Sequence, residues 1–185
     1  MKPNNAKLYY LVGPSGAGKD SLLAAVREQA AVASGLRIAR RYITRPPRAG
    51  DEPHIEVAAA EFERARRDGK YLFAWESHGY GYAVGRQVLD WLADGDDVIV
   101  NGSRAYLETA RAIYPSLLPI WITVSENLLR QRLTARGRET TAQIEGRLCR
   151  NREFEDRYRG EYPRIRNDGS LEAAVIQFNA LRKGV

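Results

Sequence analysis

Residues 8–21 read Leu8-Tyr9-Tyr10-Leu11-Val12-Gly13-Pro14-Ser15-Gly16-Ala17-Gly18-Lys19-Asp20-Ser21. The apolar run 8–12 is short enough for a buried strand, and 20–29 place Leu22, Leu23 and Val26 on one helical face. Between them, Gly13 to Lys19 meets the glycine-lysine spacing of a phosphate-binding loop (P-loop), in the strand-loop-helix context that loop requires. Glycines let the backbone wrap so that successive N–H groups point at a β-phosphate, and the helix N-terminus adds a favourable dipole. Gly13, Pro14, Ser15, Gly16, Ala17 and Gly18 are thus candidate nucleotide contacts. Lys19 is placed to neutralise charge on the β- and γ-phosphates as it moves during transfer. Asp20 stands where the usual motif has Ser or Thr, whose hydroxyl coordinates magnesium. A carboxylate is also a hard oxygen ligand, so Asp20 binds Mg2+ directly or through water, or the Ser21 hydroxyl substitutes. The alternative is that Asp20 serves only as a first-turn acid favourable to the helix dipole.

Outward from this motif, 37–43 alternates as a second strand, and 44–53 holds three prolines and Gly50, which makes it a loop. Residues 61–68 read as a helix, 71–75 as a strand, and 77–85 as an irregular glycine- and tyrosine-rich stretch. From residue 87, helix and strand alternate: 88–93 helix, 98–100 strand, 106–113 helix, 117–124 strand. Ser125 caps a helix to about 135, Gly137 breaks it, and 141–158 forms a long charged helix, followed by strand 162–166 and helix 171–181. Such alternation implies an α/β domain with a mainly parallel sheet flanked by helices. We expect one domain, with a core of about 7–35 and 86–185, an acceptor-binding insert of about 36–85 and a lid of about 136–147.

At 185 residues one domain suffices, and no apolar run approaches the roughly 20 residues of a membrane span. A cytoplasmic setting is the expectation. Lys and Arg exceed Asp and Glu by 29 to 23, giving a net charge of +6, so an anionic ligand is expected. The arginines are scattered over several loops, without the basic stripe of a nucleic-acid module, and suit a site gripping many phosphate oxygens through guanidinium forks. Small-molecule substrates are therefore the expected partners, with homo-oligomerisation left open. Cys149 is read as structural, and Trp75, Trp91 and Trp121 as core. His54 and His78 have no base-orienting acid nearby in sequence, and an ionised phosphate acceptor needs no general base.

Thr44-Arg45-Pro46-Pro47-Arg48 resembles the acceptor-phosphate loop of guanylate kinases, and the resemblance continues through Tyr82, 128–137, Arg147 and Arg166-Asn167-Asp168. It implies a P-loop NTPase fold with ATP and Mg2+. By resemblance, Arg45, Arg48 and Tyr82 hold the acceptor phosphate, Arg132, Arg136 and Arg147 close over the transferring phosphoryl group, and Asn167 lies near the adenine. Four-residue spacing sets Arg132 and Arg136 on one helix face. The base-reading residues are missing: Arg41, Phe73 and Ser103 stand where that family has serine, glutamate and aspartate. His54 replaces a phosphate-binding tyrosine.

Gly18-Lys19-Asp20-Ser21, Val100-Asn101-Gly102-Ser103-Arg104, Arg136-Gly137-Arg138-Glu139 and Asn167-Asp168-Gly169-Ser170 resemble instead the ribose 1,5-bisphosphate phosphokinase branch of phosphonate catabolism. That resemblance implies transfer of the γ-phosphoryl of ATP to the 1-phosphate of ribose 1,5-bisphosphate, giving 5-phosphoribosyl 1-diphosphate. Arg41, if 37–43 runs as one strand towards Arg45, faces the same side as Arg45 and is the candidate for the remote 5-phosphate. Phe73 would fill the former base pocket. The alternatives are a guanylate or other nucleoside monophosphate kinase, and a non-catalytic guanylate-kinase-like interaction module.

Overall fold

The computed structural model describes residues 5–30, 35–47, 52–137 and 139–184. Strand β1 (Leu8–Val12) is buried along its whole length, as its unbroken apolar run requires at the centre of a parallel sheet. It pairs in parallel with β7 (Asp97–Asn101) on one side and β8 (Leu118–Thr123) on the other. Strands β2 (Leu36–Ile38) and β9 (Arg164–Arg166) complete a five-stranded sheet in the order β2-β7-β1-β8-β9.

Period-two alternation on β1 feeds two cores. Tyr9 and Leu11 pack towards α1 (Lys19–Ala30) and α7 (Leu171–Gly184), with Leu22, Leu23, Val26 and Phe178. Tyr10 and Val12 face α3 (Gln87–Ala93) and α4 (Leu107–Ile113), joining Val88, Leu107 and Trp121. The two faces together bury the helix stripes that the spacing predicted.

The expected single strand 37–43 is two strands in different sheets. The Ala39 amide still bonds the Ile99 carbonyl at 2.9 Å, but the Arg41 carbonyl accepts from Ile55 N at 2.8 Å in a second sheet. That sheet, ordered β4-β3-β6-β5, consists of β3 (Tyr42–Ile43), β4 (Ile55–Glu56), β5 (Tyr71–Ser77) and β6 (Tyr80–Gly85). Alternation along a sequence shows extended chain but not which sheet the chain joins. Residues 36–38, expected in the insert, form β2 of the core sheet. Helix α2 (Ala59–Arg67) covers the insert through Phe62, which stacks near Tyr71 at 5.1 Å.

The stretch 77–85 is also more ordered than its composition suggested. His78 and Gly79 take positive φ, 52° and 77°, which is the geometry of a tight hairpin turn between β5 and β6. After β8, α5 (Glu126–Ala135) and α6 (Thr141–Arg157) are separated at Gly137, as expected. Thr140 and Gln143 form a reciprocal capping box at the start of α6. Ser125 occupies the cap position of α5, but the Asp168 carboxylate accepts its amide at 2.6 Å and its own side chain makes no capping bond. Trp121 is fully buried, while Trp91 is half-buried beneath the Arg37 guanidinium, 5.4 Å from its ring. Cys149 is exposed on α6.

Candidate active site

The P-loop turns at the carboxyl end of β1 and runs into α1. Gly18 has φ +87°, and a Cβ there would stand 2.3 Å from Asn167 Nδ2. The close approach has a purpose: Asn167 Nδ2 donates to the Ala17 carbonyl at 2.6 Å, while its amide bonds the Thr123 carbonyl at 2.9 Å. Arg132 reaches the same point, donating to the Asn167 carbonyl at 3.0 Å and the Gly16 carbonyl at 3.5 Å. Asn167 is buried against the P-loop backbone, and Arg132 bonds carbonyls of the P-loop and of Asn167 and does not line the cavity where phosphoryl transfer is expected. Unpaired buried carbonyls are costly, and these two side chains supply their donors.

Lys19 Nζ donates to the Gly13 and Pro14 carbonyls at 2.9 and 3.0 Å, which holds the ammonium at the mouth of the loop. Lost hydration pushes its pKa down to about 8, with Arg104 and Arg41 lowering it and Asp20 and Glu52 opposing them. Asp20 and Ser21 line the cavity beside it. Asp20 Oδ1 accepts a hydrogen bond from Asn101 Nδ2 at 3.0 Å, so the carboxylate is oriented and not merely a solvated first-turn acid. Among the described residues no cluster of three or more His, Cys, Asp or Glu side chains is arranged for a metal. One carboxylate and one hydroxyl fit Mg2+, which keeps waters and phosphate oxygens as its other ligands.

Behind Asp20 lies a buried chain of polar groups that sequence reading missed. Asn101 Nδ2 also bonds Glu52 Oε2, and Arg41 Nη2 lies 3.3 Å from the same oxygen. Glu52 is 3% exposed, and burial raises its pKa, with Arg41 and then the Asn101 hydrogen bond opposing. Glu52 Oε1, Asn101 Oδ1 and Arg41 Nε have no partner among the described residues. The only signal for this carboxylate was an acid inside an otherwise proline-rich basic loop.

On the acceptor side, Arg41 and Arg45 both line the cavity, although no single strand aligns them. The Arg41 guanidinium lies 5.6 Å from the Tyr82 ring centroid, and Tyr82 stacks on Trp75 at 5.7 Å. Arg48 lies outside the described residues. His54 is corrected: it is buried, its ring nitrogens 3.3 Å from the Glu52 carbonyl and 3.1 Å from the Arg45 carbonyl, so it braces the acceptor loop from behind. Phe73 is likewise corrected, since it is fully buried against Tyr10 at 5.8 Å and does not reach the cavity wall. Ser103 is on the wall, its amide donating to Tyr10 Oη at 3.0 Å.

From the other side come Arg136 at the end of α5 and Arg147 on α6, the latter paired with Glu139. Arg104, Arg150 and Phe154 also line the cavity and were not singled out from sequence. Among the described residues the cavity, of about 370 Å3, is walled by Lys19 and six arginines against one carboxylate, that of Asp20. Such an excess of cations suits the simultaneous binding of several phosphate groups.

A phosphate-binding loop facing a second, arginine-lined subsite defines a P-loop phosphotransferase. A profile of the guanylate kinase family matches residues 5–181. Ribose 1,5-bisphosphate phosphokinase PhnN of Pectobacterium parmentieri is 47% identical over 176 residues, covering 95% of this chain and 93% of its own. The enzymes of the same name from Desulfomicrobium baculatum and Azotobacter vinelandii are 48% and 50% identical, over 80% and 78% of this chain and 79% of each of theirs. Among solved structures, guanylate kinase from Anaplasma phagocytophilum superimposes with a TM-score of 0.70 at 21% identity, covering 96% of this chain and 85% of its own. The chain belongs to the guanylate kinase family and, within it, to the ribose 1,5-bisphosphate phosphokinases.

Proposed function

We propose that this protein is a cytoplasmic enzyme that transfers the γ-phosphoryl group of ATP to the 1-phosphate of ribose 1,5-bisphosphate, forming 5-phosphoribosyl 1-diphosphate and ADP. The observation that carries the reading is the cavity wall, where, among the described residues, seven cations meet one carboxylate, that of Asp20 beside the P-loop, and no carboxylate stands on the acceptor side to receive a guanine. The names of the relatives support it. A site built to hydrogen-bond a base rejects ligands by large factors, so the absence of that set argues against a guanylate kinase. An intact Lys19 and P-loop argue against a non-catalytic module.

In this reading the P-loop amides and Lys19 hold the β- and γ-phosphates, and Asp20 with Ser21 holds Mg2+. Bound there, the metal would offset negative charge on the phosphate oxygens. Arg45, Arg48 and Tyr82 hold the acceptor phosphate, with one of its oxygens in line with the γ-phosphorus. That oxygen forms the new P–O bond as the bond to the ADP oxygen breaks, and the electron pair leaves with ADP. An ionised phosphate has no proton to remove, so the chain needs only to position and to neutralise. Arg136 and Arg147 meet the charge on the transferring group. Release of Arg147 from Glu139 would accompany that contact.

Phosphorus NMR of the protein with ribose 1,5-bisphosphate, ATP and Mg2+ tests the proposal: a new pair of diphosphate doublets is expected. Robust ADP formation with GMP and none with the bisphosphate would reverse it, and no turnover with any phosphate acceptor would favour the module.

The metal assignment makes its own prediction. Asp20→Ala is expected to raise the half-saturating Mg2+ concentration about 10-fold, and Asp20→Ser, which restores the usual hydroxyl, to recover most of that shift. Calorimetric binding of ATP with and without Mg2+ checks it independently of turnover. Unchanged Mg2+ dependence in both variants would leave Asp20 a helix-dipole acid.

A further inference from the structure

A sugar bisphosphate brings two phosphates to the acceptor subsite, and Arg45, Arg48 and Tyr82 account for one. Arg41 was the sequence candidate for the second. Its charge, however, is offset by Glu52 at 3.3 Å, and both side chains are largely shielded from water. A cation already paired in a low-dielectric setting has less to gain from a further anion.

Arg104 differs in its pairing. It follows the carboxyl end of β7, begins the short 3-10 turn Arg104–Tyr106, and lines the cavity. Its Nη1 donates to Asn151 Oδ1 at 2.7 Å, and its guanidinium carbon lies 4.5 Å from the centroid of Phe154. Stacking and one hydrogen bond fix the plane of the fork while leaving its other N–H groups for a ligand. Among the described residues Arg104 makes no ion pair. The acid that influences it most, Glu155, is engaged by Trp121 Nε1 at 2.7 Å and by Arg164 at 2.5 Å. Burial lowers the Arg104 pKa to about 10, as happens to a cation short of a counter-charge.

The surroundings give the side of the cavity it serves. Tyr106, two residues on, stacks on Trp75 at 5.5 Å, and Trp75 stacks on Tyr82 at 5.7 Å. The turn that begins with Arg104 is thus anchored, through Tyr106, on the aromatic row that ends at Tyr82 of the acceptor subsite, while the Arg104 side chain is held across the cavity wall by Asn151 and Phe154 of α6. We propose that Arg104 binds the second, non-reacting phosphate of the sugar bisphosphate and so sets the preference for a doubly phosphorylated sugar. The proposal rests on the sugar bisphosphate reading above. Binding of a remote phosphate by a fixed fork orients the reacting one, so its energy is expressed in kcat/KM.

The test compares ribose 1,5-bisphosphate with ribose 1-phosphate as acceptors, each with ATP and Mg2+. In the wild type the bisphosphate is expected to be favoured by at least about 100-fold in kcat/KM, and Arg104→Met to reduce that ratio by about 100-fold. ATP affinity measured by calorimetry stays within about threefold, and Arg104→Lys, which keeps the charge but not the fork, recovers part of the ratio. Asn151→Ala leaves the charge and loosens the clamp, and is expected to reduce the ratio by about 10-fold, which decides the matter if Arg104→Met does not fold. An unchanged ratio in a folded Arg104→Met, or in Asn151→Ala should that variant alone fold, overturns the assignment while the sugar bisphosphate reading stands. A wild type inactive on the bisphosphate overturns both.

Discussion

Replacing Lys19 with alanine is expected to lower kcat/KM about 1,000-fold, roughly 4 kcal/mol of transition-state stabilisation, with the fold retained. The ammonium is held by the Gly13 and Pro14 carbonyls before any ligand arrives, so its position costs nothing at the moment of transfer. Steady-state kinetics with a melting curve on the same sample checks both halves. A variant within about threefold of wild type would remove Lys19 from the mechanism. The pH profile is a companion result. Only the protonated amine neutralises phosphate, and desolvation has pushed the free protein's Lys19 down to about 8. The kcat/KM for ATP should therefore fall as pH rises through about 8. Bound triphosphate adds negative charge next to Nζ and raises its pKa, so kcat should hold its plateau further into the alkaline range.

Arg41→Ala is expected to cost about 3–5 kcal/mol of stability, because it strips a buried carboxylate of its cation. Glu52 would keep only Asn101, with Oε1 still unmatched among the described residues. The folded-state pKa of Glu52 is already raised, so the folded protein binds its proton more tightly than the unfolded chain does, and stability falls as pH rises between the two pKa values. Removing Arg41 raises that pKa further. The deficit should grow as pH rises and shrink in acid, and Arg41→Ala combined with Glu52→Gln should regain most of it. Denaturant unfolding at two pH values, with Arg66→Ala as an exposed-pair control, measures this. A loss below about 1 kcal/mol in the single variant would mean that the pair behaves like a surface bridge.

Local pattern made much of this molecule legible. The P-loop, the parallel core strands and the long α6 each follow from spacing that no other arrangement satisfies as well. Arg45, Arg136 and Arg147 reach the expected cavity. What stayed hidden depends on partners remote in sequence. Nothing in the alternation of 37–43 tells that Ala39 bonds one sheet and Arg41 the next. His54 and Phe73, aligned to ligand positions, turn inward because a carbonyl pair and an aromatic cluster receive them. Arg104 stood in a quoted motif, yet its use became visible only when Asn151 and Phe154, from another helix, were seen to hold it.

The Asn167 amide on the Ala17 carbonyl links positions 150 residues apart. The nucleotide loop is therefore not a portable cassette. Its letters lie within the first twenty residues, while its shape is held from a turn beyond the last strand. Grafting the motif onto another strand and helix would transfer the letters without the clamp, and nucleotide affinity would depend on whether the recipient's distal loop offers an equivalent donor. In this chain, inheritance of the P-loop and of the carboxyl-terminal turn is one event in structural terms.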